Sequence, residues 1–136
     1  MITIIDNGKG AQEISRFIRS KNQIVKPKEV KDSSAFIISD GPINKETQKI
    51  VDKLIKSTEK PVMGIGTGMG YILSSYGVPI KGSKAQQKQE KVSLKKPSPL
   101  LLDFKRIFAV VEATGCMVES VPENFAGKNE RLVRLR

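Results

Sequence analysis

The sequence predicts an α/β domain: an open, mostly parallel sheet with helices on both faces. Three observations carry that expectation. Short β-branched runs alternate with segments of helical period through the first 77 residues. The runs are apolar on both faces, as buried parallel strands are. Their connections are short and marked by Gly, Pro, Asn and Asp, which is the pattern of a sheet wound with helices.

Residues 1–6 are a buried apolar strand closed by Asn7-Gly8-Lys9-Gly10. Residues 11–20 continue as a helix, with Ile14, Phe17 and Ile18 on its apolar side and Arg16, Arg19 and Lys21 toward water. A short strand over 23–25 precedes a charged, turn-like stretch over 26–34. Residues 35–39 are a further buried strand, ending at Asp40-Gly41-Pro42. A second helix opens at Asn44 or Lys45 and runs through Ser57 on a stripe of Ile50, Val51, Leu54 and Ile55, with Lys alternating with Glu or Asp outside. Residues 61–65 form another buried strand and run directly into Gly64-Ile65-Gly66-Thr67-Gly68-Met69-Gly70 and a helix through Tyr76. Beyond Gly77 helical period is absent. Residues 78–81, 91–95 and 106–112 lean toward strand, and 124–136 read as a final strand or a loose tail.

At 136 residues and 15.0 kDa the chain has the size of one domain, 1–136, able to bury about two-thirds of its unfolded surface. Hydrophobic residues are 38%, aromatics 5% and Trp is absent, so the expected core is small and aliphatic. No apolar run approaches the roughly 20 residues that cross a bilayer, and the N-terminus lacks the pattern of a signal peptide. The expectation is a cytoplasmic protein with no membrane partner. One cysteine, Cys116, and no histidine leave no internal disulfide and no His/Cys ligand set, so neither metal nor cofactor is expected. Cys116 reads as a small apolar residue.

The glycine-rich turn carries the most chemistry. A strand that ends in Gly-x-Gly-x-Gly-x-Gly and opens a helix presents backbone N–H groups at a helix N-terminus, where an anion or a developing oxyanion is stabilised. Its spacing fits neither the phosphate loop nor the dinucleotide fingerprint.

The stretch Pro61-Val62-Met63-Gly64-Ile65-Gly66-Thr67-Gly68-Met69-Gly70 resembles the nucleophile elbow of class I glutamine amidotransferases. Ile4-Ile5-Asp6-Asn7-Gly8 is similar to the opening strand and turn of the glutaminase subunit of GMP synthetase, and Ile37-Ile38-Ser39-Asp40-Gly41-Pro42 resembles its Ser-Gly-Gly-Pro loop. Residues 71–77 match the helix after the elbow, and 118–125 resemble a later Val-x-x-Leu-Pro-x-x-Phe stretch. The likeness is close over 1–80 and loose over 81–125, and it implies a flavodoxin-like sheet truncated at the C-terminus.

Departures from the family's pattern bear on function. Its elbow reads Gly-Ile-Cys-x-Gly-His-Gln, and Gly66 stands at the Cys. The family's Cys is activated by a His, itself oriented by a Glu, from a C-terminal motif that this sequence does not reach; there is no His at all. Acyl transfer needs a nucleophile and a proton-shuttling base, so the resemblance implies no catalytic residue and no glutaminase activity. Thr67 as a replacement nucleophile lacks a base. Gly41 and the Thr67 amide, with Gly66 and Gly68, match the elbow and oxyanion shell, either as a remnant of the fold or as an anion site. At 113–118 the sequence Ala-Thr-Gly-Cys-Met-Val replaces the relatives' Ser-His-x-Asp-x-Val coupling signature.

The net charge of +10 is unevenly placed. Residues 81–106 hold eight basic side chains against two acidic ones, Lys81, Lys84, Lys88, Lys91, Lys95, Lys96, Lys105 and Arg106, interleaved with Ser and Gln. Such a segment suits phosphate contacts with nucleic acid, and its scarcity of aromatics, with only Phe104 and Phe108 nearby, favours a folded or double-stranded backbone over single-stranded bases. A solvated lysine face or an acidic protein partner would use the same charges. The sequence reading is thus a catalytically inactive amidotransferase-like domain reused as a binding module for RNA or a ribonucleoprotein such as the ribosome. Its alternatives are a non-catalytic subunit of a glutamine-dependent synthetase such as GMP synthetase, and an anion or nucleotide sensor. A homodimer would be one way to cover a sheet edge.

Overall fold

The computed structural model describes residues 1–82 and, beyond them, the backbone of the strand segments 88–93, 107–112, 116–118, 125–128 and 131–134. The described chain opens with β1 (Ile2–Ile5), α1 (Ala11–Phe17), β2 (Asn22–Val25), a single 3-10 turn (Pro27–Glu29) and β3 (Ala35–Ile38). It continues with α2 (Lys45–Ser57), β4 (Val62–Gly64), α3 (Thr67–Ser74) and β5 (Ile80–Gly82).

Strands β1 to β4 form one parallel sheet in the order β2-β1-β3-β4. Ile5 lies opposite both Val25 and Ile38, and Ile38 opposite Gly64. The chain steps from β1 to β2 in one direction and from β3 to β4 in the other. Parallel crossovers are right-handed, so α1 covers one face of the sheet and α2 the opposite one. The open parallel sheet with helices on both faces is therefore present as the sequence predicts.

The two faces are unequal. Thr3, Ile5, Phe36 and Ile38 share the α2 face, where Ile5, Phe36 and Ile38 pack with Val51 of α2 and with Tyr71, Ile72 and Leu73 of α3. Helix α3 is buried from Thr67 to Leu73, which fits a helix apolar all round. The α1 face carries Ile4 and Ala11 at its centre but thins toward β4, where Met63 is 47% exposed.

Local chemistry sets the boundaries. The Asn44 side chain caps α2 by accepting from the Glu46 and Thr47 amides at 2.9 and 3.1 Å. At the other end Lys56 donates to Asp52, one turn back, at 2.8 Å, and this bond holds the Asp52 carboxyl below the usual carboxylate range.

Helix α1 corrects one expectation. It ends at Phe17, three residues short of the predicted end, and Phe17 is 86% exposed instead of lying in the apolar stripe. At 3.6 residues per turn, Ala11, Ile14, Ser15 and Ile18 point toward the sheet, and Phe17 falls about a third of a turn away from their mean direction.

Beyond β5 the described strands pair antiparallel: β6 (Lys88–Ser93) with β7 (Ile107–Glu112), β8 (Cys116–Val118) with β5, and β9 (Phe125–Lys128) with β10 (Arg131–Arg134). Residues 125–134 are thus two paired strands, where a single strand or a loose tail was expected. Among the described residues, no helix is long and apolar enough to cross a membrane.

Two substitutions test this division of the surface. Ile38→Ala should lower unfolding free energy by about 2–5 kcal/mol. Phe17→Ala should stay within about 0.5 kcal/mol of the parent in the same denaturant titration.

Candidate functional site

Strand β4 turns into α3 within two residues, and glycine makes that turn sterically feasible. A Cβ on Gly64 would enter the backbone of Gly68 and Met69, and one on Gly68 would enter the carbonyl of Ile38. Helix α3 therefore starts in direct contact with the ends of β3 and β4. Gly66 sits between them at φ 58° and ψ −121°, a combination that residues with a side chain rarely adopt. The turn is pinned by the Ile65 amide donating to the Ile38 carbonyl at 2.9 Å and the Gly70 amide donating to the Gly66 carbonyl at 3.2 Å.

The loop after β3 lies across this elbow. The Thr67 amide, first of the helix, donates to Asp40 Oδ1 at 2.9 Å, and the buried Thr67 hydroxyl donates to the Gly41 carbonyl at 2.6 Å. A Cβ on Gly66 would fall inside the Asp40 carboxyl group. The space above Gly66 is thus filled by the protein's own Asp40, which also serves as the acceptor at the α3 N-terminus.

A second network fixes the loops around it. The buried Tyr71 hydroxyl accepts from the Asn44 amide at 2.7 Å and lies 3.2 Å from both Asn7 Oδ1 and the Pro42 carbonyl, between which its one proton is shared. The Asn7 amide donates to the buried Ser39 hydroxyl at 2.8 Å. Gly41, at φ 153°, passes so close to the Asn7 carbonyl that a Cβ there would overlap it.

The structure brings Gly41, Gly66, Thr67 and Gly68 together around this turn. Of the two readings left open for this shell, remnant of the fold or anion site, the geometry adds that the Thr67 amide is already bonded to Asp40. Sequence reasoning missed Asp40, Tyr71 and Asn7 as the residues that fill and brace the site. A cleft of about 470 Å³ opens beside it, at the C-terminal ends of β1 and β2. Asp6, Lys26, Glu29 and Ile50 are among its walls, and no elbow residue lines it. Among the described residues no cluster of His, Cys, Asp and Glu is suited to a metal ion.

Of the predicted basic segment, Lys81 lies on β5, and Lys88 and Lys91 lie on β6 opposite Glu112 and Ala109. Lys84, Lys95, Lys96, Lys105 and Arg106 lie outside the described residues.

The sequence model of the family "Glutamine amidotransferase class-I" matches residues 4–131. The chain belongs to the class I glutamine amidotransferase family. Among solved structures it is similar to a GMP synthase subunit protein of Thermoplasma acidophilum. That match has a TM-score of 0.77 at 20% identity and covers 92% of this chain and 69% of the other. It is also similar to a glutamine amidotransferase of Thermotoga maritima, with a TM-score of 0.73 at 14% identity, covering 98% of this chain and 71% of the other. No curated protein sequence matches the chain. At these identities the structural likeness establishes the fold, and the elbow's contents have to be read from its own geometry.

That geometry predicts an asymmetric pair of variants. Gly66→Ala should destabilise the domain by about 1–3 kcal/mol or more, from backbone strain together with overlap with Asp40. Asp40→Gly should cost about 1 kcal/mol as a lost helix cap. In the double variant the overlap is gone, so the two costs should sum to more than the measured total, read as a double-mutant cycle by urea denaturation.

Proposed function

We propose that this chain is an amidotransferase-like domain without glutaminase activity, acting as a binding module whose partner is RNA. The observation that carries the first half is the Asp40 carboxyl group above Gly66. At the position where the family's nucleophile resides there is no side chain, and the volume a thiol would need is occupied. The Thr67 amide that would stabilise a developing oxyanion already donates to a carboxylate, and a second negative charge beside that carboxylate would be repelled instead of stabilised. With no histidine in the sequence to move a proton, neither attack nor leaving-group protonation has a residue to perform it.

The same carboxylate argues against the anion-sensor reading, since an incoming anion would have to displace it from the Thr67 amide. What remains to explain is the charge. Lys and Arg outnumber Asp and Glu by 24 to 14, with the excess concentrated over residues 81–106. A polyanion matches that excess, and RNA, including RNA within a ribosomal particle, is the polyanion we favour. A second reading is favoured by the likeness to a GMP synthase subunit: a non-catalytic subunit docked on a synthetase.

Two measurements separate these readings. The purified chain should release no glutamate from glutamine above background, and Gly66→Cys should not create the activity; measurable turnover by the parent protein would end the inactive reading. Binding to bulk cellular RNA, followed by filter retention from about 50 to 500 mM salt, should fall steeply and linearly on log–log axes. Changing Lys84, Lys88, Lys91, Lys95 and Lys96 to Gln should flatten the slope by about one unit for each lysine that contacts phosphate. Weak, salt-insensitive retention, with a synthetase co-purifying in equal amount, would favour the second reading.

A further inference from the structure

Phe17 is the most exposed large hydrophobic side chain among the described residues. It is the last residue of α1, and its surroundings along the chain are basic: Arg16 precedes it, and Arg19 and Lys21 follow before β2 begins. All three cations are exposed, and none makes an ion pair within the described residues, where the ion pairs are Lys28 with Glu46 and Lys56 with Asp52. No acidic residue occurs between Glu13 and Glu29. An aromatic ring is therefore held in water among basic positions of the chain, with Glu13, one turn back on α1, the acidic residue next to it.

This combination favours one kind of occupant. A second copy of the chain, or another protein laid on Phe17, would have to desolvate Arg16, Arg19 and Lys21 or supply an acid for each. An unpaired stretch of RNA meets both needs at once: its phosphates take up the cations, and a base presents a flat face to the ring. Guanidinium planes stack on bases as well, so Arg16 and Arg19 extend the same platform.

We propose that Phe17, Arg16, Arg19 and Lys21 form a contact point for single-stranded RNA, with a base stacked on Phe17 and its flanking phosphates held by the cations. This rests on the RNA reading above and adds to it. The Lys-rich segment has few aromatics and suits duplex or folded backbone, whereas the end of α1 would select nucleotides free to unstack.

The test uses the full chain with a 12-nucleotide oligouridine and, separately, a 12-base-pair RNA duplex, each end-labelled and titrated by fluorescence anisotropy. Phe17→Ala should weaken oligouridine binding by about tenfold while leaving its salt slope and duplex affinity unchanged. Phe17→Tyr should restore the parent value. Changing Arg16, Arg19 and Lys21 together to Gln should weaken oligouridine binding and lower its salt slope.

If Phe17→Ala stays within about twofold of the parent on oligouridine while the five-lysine variant loses RNA, the α1 contact is wrong and the RNA reading stands. If the parent binds neither RNA, both fail. Sedimentation adds a further outcome: a dimer that Phe17→Ala converts to monomer, with RNA affinity unaltered, would make this face a contact between copies and overturn the proposal. Equal melting temperatures of parent and Phe17→Ala would exclude misfolding as the cause of any loss.

Discussion

One hydroxyl group holds the C-terminal rim of the sheet in register. Tyr71 is fully buried on α3, and its oxygen joins the loop after β1 at Asn7, the loop after β3 at Pro42, and the first amide of the α2 cap at Asn44. Backbone polar groups at strand ends have no ladder partner, and burying them without one costs about 1–3 kcal/mol each. A single side chain at the centre of α3 satisfies several of them together. The elbow depends on this arrangement, because Asp40 can reach Thr67 only while the loop from Ser39 to Pro42 is held against α3. The close backbone approach of Gly41 to Asn7 is the steric counterpart of the same constraint.

Within that frame Asp40 and Gly66 behave as a complementary pair. The resembling loop in relatives reads Ser-Gly-Gly-Pro, and Asp40 stands at its first glycine, while Gly66 stands at the elbow's cysteine. On the proposed reading, a side chain stands where the family pattern has none and none stands where it has a thiol, and the Asp40 carboxyl occupies the volume over Gly66. The charge is also alike in kind: a helix N-terminus that would stabilise a transient oxyanion now has a permanent carboxylate acceptor. The unusual backbone of Gly66 then needs no catalytic explanation. Glycines 64 and 68 let α3 start against β3 and β4, and the chain must turn sharply between them whether or not a nucleophile sits at the apex.

Much of this was legible from the sequence, and the failures have physical causes. The alternation of β-branched runs with helical stripes located all four parallel strands and three helices, because strands covered on both faces leave continuous apolar runs while amphipathic helices leave a 3.6-residue stripe. The glycine spacing located the elbow for the same reason: close backbone approach admits no other residue. Phe17 was misplaced because α1 has only two turns, so a one-position offset moves a side chain from the sheet to water. Asp40 was invisible as a plug because its role arises from a through-space contact with Thr67, 27 positions later. The available signal was that Asp40 and Gly66 both depart from the resembling family pattern, and only pairing the two positions reveals it.

The filled elbow also bears on where a partner can bind. In a parallel α/β sheet the crevice at the C-terminal strand ends is the usual ligand position, and here its elbow half is closed by Asp40 and braced by Tyr71. Among the described residues, Arg16, Arg19 and Lys21 at the end of α1 are exposed and lie outside that crevice. Long polyanions need an extended, accessible surface and no enclosed pocket, so closing the elbow and charging the periphery are compatible changes. Among the described residues the α1 face is the thin side of the sheet, covered by one short helix, and a surface left with few internal contacts is free to change without disturbing the Tyr71 network. On the proposed reading, a binding role at the α1 end would come at small cost to stability, because the residues that hold the fold and those that would meet the partner do not overlap.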